Sequence, residues 1–216
     1  MIDRWIESFT RRFRLDTVHG KVLKRPLPSG IGYSFCFGGI TFSLFCLLLA
    51  TGIVLAFHYV PTEEGAYRSI AGIVDEVRLG ALLRGMHAWA GDLIVVTLLV
   101  HMARVFVTGA FKNPRELNWI VGTTLLVITL AFGFTGTLLP WDSRSYWATV
   151  VGTNMVQTLP LAGESLASLL RGGPDVTGAT LLRFYALHVF WLPLATLFLL
   201  WAHFHMIRRQ GISGGL

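Results

Sequence analysis

The sequence predicts an all-α integral membrane protein built as a four-helix bundle. Mean hydropathy is +0.60 and only 14% of the 216 residues are charged, which is too apolar for a soluble domain. The apolar residues fall into four blocks, each long enough to cross a hydrocarbon core of about 30 Å. Crossing segments in such a chain must be helices, because lipid satisfies no backbone polar group. We therefore expect residues 1–216 to form one membrane domain.

The four predicted spans, called A to D, cover about 31–59, 81–107, 119–139 and 180–206. Residues 1–30 are basic and amphipathic and have no apolar signal core, so we expect them to lie along the membrane surface. Between spans C and D, Trp141–Pro160 and Leu166–Arg171 are predicted to form short helices over the bundle. The sequence has no linker that would divide the chain into domains.

Charge distribution predicts the orientation. Residues 1–30, the B–C connection and the C-terminal side carry twelve Lys/Arg and four acids, whereas the A–B and C–D sides carry six Lys/Arg and eight acids. The net charge of +6 therefore divides into +8 and −2. By the positive-inside rule both termini are cytoplasmic or stromal. Because topology accounts for the positive charge, a nucleic-acid partner is not expected.

Two predicted spans carry two histidines each: span B has His87 and His101, and span D has His188 and His203. Spacings of 14 and 15 residues place the members of a pair about 21 to 22 Å apart on roughly one face of a helix. With both termini inside, spans B and D run in the same direction. His87 and His188 are then level near the outer surface (the outer pair), and His101 and His203 are level near the inner surface (the inner pair).

These two levels predict two bis-histidine sites, one in each leaflet. A haem iron takes two axial imidazoles about 4 Å apart across a flat ring, and a four-helix bundle core accommodates one. Zinc favours three or four clustered ligands, which these spacings do not supply. For any single histidine the alternative is an interhelical hydrogen bond or headgroup contact. Two pairs matched in spacing and level favour haem.

Spans A and C carry glycines at the same period. Gly38 and Gly52 in span A are 14 residues apart, and so are Gly122 and Gly136 in span C. Glycine lowers helix stability, so its repetition at the histidine spacing indicates two flat slots for macrocycles. The alternative is ordinary small-residue packing between helices.

Seven segments carry a family resemblance: FCFGGITF (35–42), ATG (50–52), RGMHAW (84–89), FKNPREL (111–117), FTGTLLPWDSRSYW (134–147), RFYALH (183–188) and HFHMIRRQGISGGL (203–216). Over essentially its full length the chain resembles the cytochrome b6 family, the four-helix cytochromes b of cytochrome b6f complexes. The resemblance implies that the outer pair ligates a low-potential haem b and the inner pair a higher-potential haem b. It places four arginines near haem propionates: Arg84, Arg115, Arg104 and Arg208. Headgroup contact is the alternative for each arginine.

Cys36 stands in the sequence CFGGIT. In the family, a cysteine in this context forms a single thioether to an extra c-type haem beside the inner haem b. The resemblance therefore implies one haem c attached at Cys36, although the chain has no CxxCH motif. Cys46 is expected to be an ordinary small, buried apolar residue. Two cysteines ten residues apart on a helix are too far apart for a disulfide.

The C–D loop is similar to the wall of the family's outer quinol-oxidation pocket. Its aromatic cluster of Trp141, Tyr146 and Trp147 is the candidate pocket surface, and an interfacial aromatic belt is the alternative. The PEWY segment that supplies an acidic residue for quinol deprotonation in the family is absent from the sequence. The resemblance thus implies a separate, subunit IV-like partner that carries it.

The predicted function is the haem-carrying core subunit of a quinol:cytochrome c or plastocyanin oxidoreductase in a bacterial inner membrane or a thylakoid membrane. In the family, quinol is oxidised at the outer face, one electron goes to a Rieske iron–sulfur protein, and the other crosses through both b haems towards an inner quinone site. Further expected partners are a c-type cytochrome, lipid and a second copy of the complex. The alternatives are a diheme cytochrome b anchoring a hydrogenase or formate dehydrogenase, and a transition-metal transporter that uses the histidines as relay ligands.

Overall fold

The computed structural model describes residues 32–211, and in that range the chain is helical, without strands. The predicted surface segment at 1–30 lies outside the described residues. The helices are α1 (Phe37–Ala56), α2 (Ala66–Asp75), α3 (Gly80–Val107), α4 (Glu116–Leu138), α5 (Ser143–Gln157), α6 (Gly163–Arg171), α7 (Gly178–Ala186) and α8 (Leu192–Gln210). A 3₁₀ turn, Tyr33–Cys36, precedes α1, and a π-helical segment, Leu187–Trp191, joins α7 to α8.

Four helical stretches are long and apolar enough to cross a membrane: Tyr33–Ala56, Gly80–Val107, Glu116–Leu138 and Gly178–Gln210. They correspond to spans A to D and confirm the predicted four-helix architecture. Their ends differ from the predicted ones because local capping sets them. Span D begins at Gly178, since the side chains of Thr177 and Thr180 form a capping box there. Glu116 is the first residue of span C, where its carboxylate stabilises the N-terminus of the helix.

Helix α2 was not predicted. It lies in the A–B connection and is amphipathic, burying Ala66 and Ile73 while Tyr67 is exposed. Ten residues of mixed polarity cannot form a span, so a search for apolar blocks passes over them. The same connection reaches span D, where the Gly178 N–H donates to the Glu63 carboxylate. The A–B loop is thereby fixed to the start of the fourth span.

The C–D loop contains the two short helices that were predicted, with shifted ends. Helix α5 begins at Ser143 because the Asp142 side chain accepts a 2.7 Å hydrogen bond from the Ser145 backbone N–H. That backbone donor holds the pKa of Asp142 below its usual value. Helix α6 begins at Gly163, three residues before the predicted Leu166.

The bundle packs as two helix pairs. Span A packs mainly against span B, and span D mainly against span C. At the end of the bundle where the loop helices lie, a small apolar core consists of Ala66, Leu138, Leu181 and Phe184. Ala66 belongs to the A–B connection and the other three residues to spans C and D, so the cluster joins that connection to the second helix pair. The faces of spans B and D that carry the histidines face each other across the bundle.

Candidate functional site

The outer pair meets across the bundle. The ring centres of His87 on span B and His188 on span D are 6.4 Å apart, with the ring planes inclined at 65°. The two histidines are 101 positions apart in the chain. Their approach therefore results from the way the two helix pairs face each other.

A local departure from α-helical geometry explains the unequal histidine spacings. His188 lies in the π segment, which is followed by Pro193 in the first turn of α8. Proline has no N–H for the carbonyl of the residue four positions earlier and its ring crowds that carbonyl, so regular α geometry is disfavoured there. A π-bulge accommodates one extra residue in a helix. The 15-residue spacing of span D then reproduces the 14-residue geometry of span B, and both of its histidines face the interior.

Each of the four repeated glycines faces one imidazole. A Cβ built on Gly136 would lie 2.8 Å from Cε1 of His188, and one on Gly52 would lie 3.2 Å from Cε1 of His87. Glycine permits both contacts, because real Cβ atoms essentially never come within 3.0 Å of another atom and a contact of 3.2 Å would be unusually tight. Span A thus supports the outer histidine of span B, and span C supports that of span D.

The inner level repeats this arrangement less tightly. A Cβ on Gly38 would lie 3.0 Å from Cε1 of His101, whereas one on Gly122 would lie 3.8 Å from Cε1 of His203. The structure thus places the glycines against the imidazole rings themselves, two at each level.

Two threonines that were not predicted contact the outer pair. The Thr51 hydroxyl lies 2.9 Å from Nδ1 of His87, and the Thr135 hydroxyl lies 3.1 Å from Nδ1 of His188. Both threonines are buried, and each directly precedes one of the four repeated glycines, which we call the slot glycines. The available sequence signal was the dipeptide Thr-Gly, which occurs at both positions.

The donor set fits an axially ligated haem. Two nitrogens on opposite sides of one metal atom are about 4 Å apart, and each ring centre lies roughly 1.1 Å farther out, so axial imidazoles have centres about 6.2 Å apart. The outer pair, at 6.4 Å, satisfies this condition. Between residues 32 and 211 no group of three or more His, Cys, Asp or Glu side chains could hold a metal ion. The described residues therefore fit two-ligand haem coordination better than a zinc-type site.

The four candidate arginines are not equivalent. Arg104 lies near the inner pair, with its guanidinium 3.5 Å from the ring centre of Phe35, and its Nε and one terminal nitrogen are buried without a partner among residues 32–211. Arg115 donates to the Gln210 carbonyl at 3.4 Å, while its buried Nε has no partner within the same range. Arg84 and Arg208 are exposed. Buried cationic donors of this kind suit a carboxylate ligand, so Arg104 and Arg115 fit propionates best.

Cys36 is exposed at the end of the 3₁₀ turn that leads into span A. Cys36 lines an open groove of about 590 Å³ along one face of that span. The groove is also lined by Gly39, Ile40, Ser43, Leu44 and Leu47. Gly38, two residues on, faces His101 instead. Cys46 is exposed rather than buried, which corrects its assignment as a small interior residue, and it does not line this groove.

The three loop aromatics lie together. Trp141 contacts Tyr146 edge to face at 5.9 Å, and Tyr146 contacts Trp147 in the same manner at 5.4 Å. Trp147 is 63% exposed and begins an exposed apolar stripe on α5 that continues through Val151 and Met155. The structure thus presents an apolar surface on the helix that the sequence identified as a pocket wall.

The opposite face of α5 is held by a buried arginine that was not predicted. Arg171 on α6 donates through Nε to the Thr153 hydroxyl at 2.8 Å and through a terminal nitrogen to Asn154 at 2.6 Å. Its other terminal nitrogen donates to the Pro174 carbonyl at 2.8 Å. Because these bonds satisfy a buried cation, they fix α5 against α6 and thereby orient the exposed stripe.

Comparison with known proteins gives a consistent result. The family model described as "Cytochrome b/b6/petB" matches residues 22–211. The chain is 47% identical over 212 residues to a cytochrome b6 of Heliomicrobium gestii, with 97% of this chain and 98% of that protein covered. It is 44% identical over 210 residues to cytochrome b6 of Oltmannsiellopsis viridis, again with 97% and 98% covered.

A solved structure is similar as well. A chain of the structure described as "Hyperthermophilic respiratory Complex III" superposes with a TM-score of 0.88 at 27% identity and covers 96% of the present chain. The present chain spans 56% of the length of that one. The four spans of the present chain therefore match one part of that longer chain.

Proposed function

The chain belongs to the cytochrome b/b6 family, and from this premise we propose that it is the haem-carrying core subunit of a quinol:cytochrome c or plastocyanin oxidoreductase. The family implies b-type haems, and the protein is an integral membrane protein. The observation that carries the proposal is the outer pair, whose ring centres lie 6.4 Å apart with a glycine against each ring. This is the geometry that two axial ligands of one iron require.

The residues that would hold the haems follow from the site. His87 and His188 would ligate the outer haem b, and His101 and His203 the inner one, with Arg104 the favoured propionate partner of the inner haem. Bound haem would supply reversible one-electron chemistry at two depths of the membrane. The four glycines contribute by letting the helices approach each imidazole closely enough to fix its orientation.

The outer pocket is proposed to bind quinol against α5. The stripe of Trp147, Val151 and Met155 offers an apolar surface, and Trp141 and Tyr146 extend it towards the end of span C. Such a surface suits the apolar ring of a quinol. It is incomplete in this chain, so a subunit IV-like protein with the PEWY segment would close it, beside a Rieske protein and a c-type cytochrome. We place the complex in a bacterial inner membrane or a thylakoid membrane, with both termini on the cytoplasmic or stromal side and two copies per assembly.

The inner side is proposed to carry one haem c on Cys36. The groove beside this cysteine lies next to Gly38, which faces the inner histidine His101. A group attached to the Cys36 sulfur would therefore lie beside the inner site without entering the space between the spans. We place the inner quinone site beside it, at the predicted cytoplasmic edge.

A spectrum of the purified protein tests the function. We expect two non-covalent b haems per chain by pyridine haemochrome assay, and reduction of both by a quinol analogue in the assembled complex. A protein purified without a Soret band, at intact helix content, would contradict the proposal and favour the transporter. Reduction by a hydrogenase or formate dehydrogenase partner, and none by quinol, would favour the membrane-anchor alternative.

Glycine substitutions test the slots. Gly136→Ala places a Cβ 2.8 Å from the His188 ring, whereas Gly122→Ala places one at an ordinary 3.8 Å from the His203 ring. A ligated imidazole cannot move aside freely, so we expect Gly136→Ala to lose most of the outer haem and Gly122→Ala to retain the inner one. Haem content per chain, resolved by redox titration, measures both. Equal losses from the two substitutions would instead indicate that the glycines serve general helix packing.

A further inference from the structure

The two histidine levels differ in the residue that precedes each slot glycine. At the outer level this residue is Thr51 in span A and Thr135 in span C; at the inner level it is Phe37 and Val121. Both threonine hydroxyls contact an Nδ1 atom of the outer pair, at 2.9 and 3.1 Å. The inner positions have no hydroxyl to offer. The otherwise repeated architecture is thus chemically asymmetric between its two levels.

The direction of the outer hydrogen bonds follows from the backbone. The Thr51 hydroxyl donates its one hydrogen to the Leu47 carbonyl at 2.7 Å, and the Thr135 hydroxyl donates to the Ala131 carbonyl at 2.8 Å. Each hydroxyl oxygen can then only accept from the imidazole. The proton of each outer histidine is therefore held on Nδ1, and Nε2 keeps the lone pair that ligates a metal.

When a neighbouring group accepts a hydrogen bond from a ligating histidine, the imidazole becomes a stronger electron donor. A stronger donor favours the ferric over the ferrous state, because the oxidised iron carries the additional positive charge. Backbone carbonyls of Leu48 and Phe132 lie near the outer rings, but the threonine hydroxyls are the groups in hydrogen-bonding geometry with Nδ1.

The inner rings lack this acceptor. Nδ1 of His101 and Nδ1 of His203 are buried and make no hydrogen bond with the part of the chain that the structure describes. The Asn118 carbonyl lies near the His203 ring but not in hydrogen-bonding geometry. The inner imidazoles are thus the weaker electron donors of the two pairs.

We propose that Thr51 and Thr135 are positioning residues that lower the reduction potential of the outer haem by accepting hydrogen bonds from its two axial histidines. The proposal rests on the haem assignment made under Proposed function. It assigns to two buried hydroxyls part of the difference in potential between the two levels. That difference would give electron transfer across the membrane its direction, from the outer to the inner level.

Potentiometric titration of the purified complex tests the proposal. Valine matches threonine in shape but cannot accept a hydrogen bond, so Thr51→Val and Thr135→Val should each raise the midpoint of the outer haem and leave the inner one unchanged. We expect the reduction equilibrium constant to rise about three- to tenfold per substitution, which is about 30 to 60 mV for a one-electron couple. The oxidised outer haem should also change its low-spin EPR g-values, a ligand-field signature that a purely structural role would not move.

Three further variants make the result decisive. Thr129→Val is the matched control, since Thr129 donates to its own helix carbonyl at 2.8 Å, like Thr135, and makes no hydrogen bond with a histidine among residues 32–211. Thr51→Ser keeps a hydroxyl acceptor and should keep the wild-type midpoint. Val121→Thr introduces an acceptor beside the inner haem and should lower the inner midpoint, which keeps the proposal testable if a valine variant loses its haem.

The outcomes separate this proposal from the haem assignment. A wild-type protein without two b haems would overturn the assignment. A protein that binds both haems, but whose outer midpoint is the same in the two valine variants and in Thr129→Val, would overturn only the role of the threonines. An upward shift of the midpoint that is confined to the outer haem in the two valine variants, and absent from Thr51→Ser, supports it.

Discussion

Replacing His188 with alanine is expected to remove the outer b haem completely, so that the protein retains one b haem per chain instead of two. The methyl group supplies no ligand, and His87 alone cannot provide the second axial bond from its side of the 6.4 Å gap. His87→Ala should give the same loss, while His101→Ala or His203→Ala should remove the inner haem. Pyridine haemochrome content and a redox titration, which distinguishes the two haems by midpoint, measure the result.

The matched control is His205→Ala. His205 is exposed on span D and stacks on Trp201 with ring centres 5.7 Å apart, two residues beyond His203. We expect this variant to keep both haems, which excludes a general effect of removing imidazole from this span. Retention of both b-type signals in any of the four ligand variants, at normal membrane insertion, would be incompatible with the assigned ligand pairs.

The spans were predictable because hydrophobic length is a strong signal. Each span is an apolar stretch more than 20 residues long, and lipid leaves such a stretch no structure but a helix. Helix ends and the short helix α2 depended on other forces. The start of span D follows from the Thr177 capping box and from contact with Glu63 across the A–B loop. Such contacts between distant segments are not visible in hydropathy.

The approach of the histidines to one another and to the glycines was predictable, because both residue types repeat at spacings of 14 or 15 residues on neighbouring spans. The π segment around His188 was not, although it explains why span D needs one more residue than span B between its histidines. Thr51 and Thr135 escaped notice because a buried threonine in a helix usually bonds only to its own backbone. Their second contact, with an imidazole, depends on how closely the glycine beside each lets two helices approach.

Arg171 shows the same limit in the C–D loop. In sequence it is one of six cations assigned to the outer side by topology, and charge counting gives it no individual role. In the fold it is 7% exposed and bonded to Thr153 and Asn154. Only the packing of α6 against α5 turns this arginine into an anchor of the predicted pocket wall.

Cys36→Ser is expected to abolish covalent haem attachment while both b haems remain. The thioether would form when the Cys36 thiol adds across a haem vinyl group: the sulfur bonds to one carbon, the thiol proton goes to the other, and no oxidant is needed. The denatured wild-type chain should therefore stain for haem peroxidase activity in a gel and exceed the mass of its apoprotein by one haem. Both signals should be lost in Cys36→Ser.

Cys46→Ser is the control for this prediction, and the structure explains why the two cysteines should differ. Both thiols are exposed on span A or at its start, so accessibility alone does not distinguish them. Cys36 borders the groove that continues through Gly39 and Ser43, whereas Cys46 lies off it. Because a macrocycle held by one bond needs a surface to lie against, attachment should follow the groove and not the thiol. A wild-type chain that runs at its apoprotein mass after denaturation would show that the groove holds no covalent haem, and would leave a plain diheme cytochrome b.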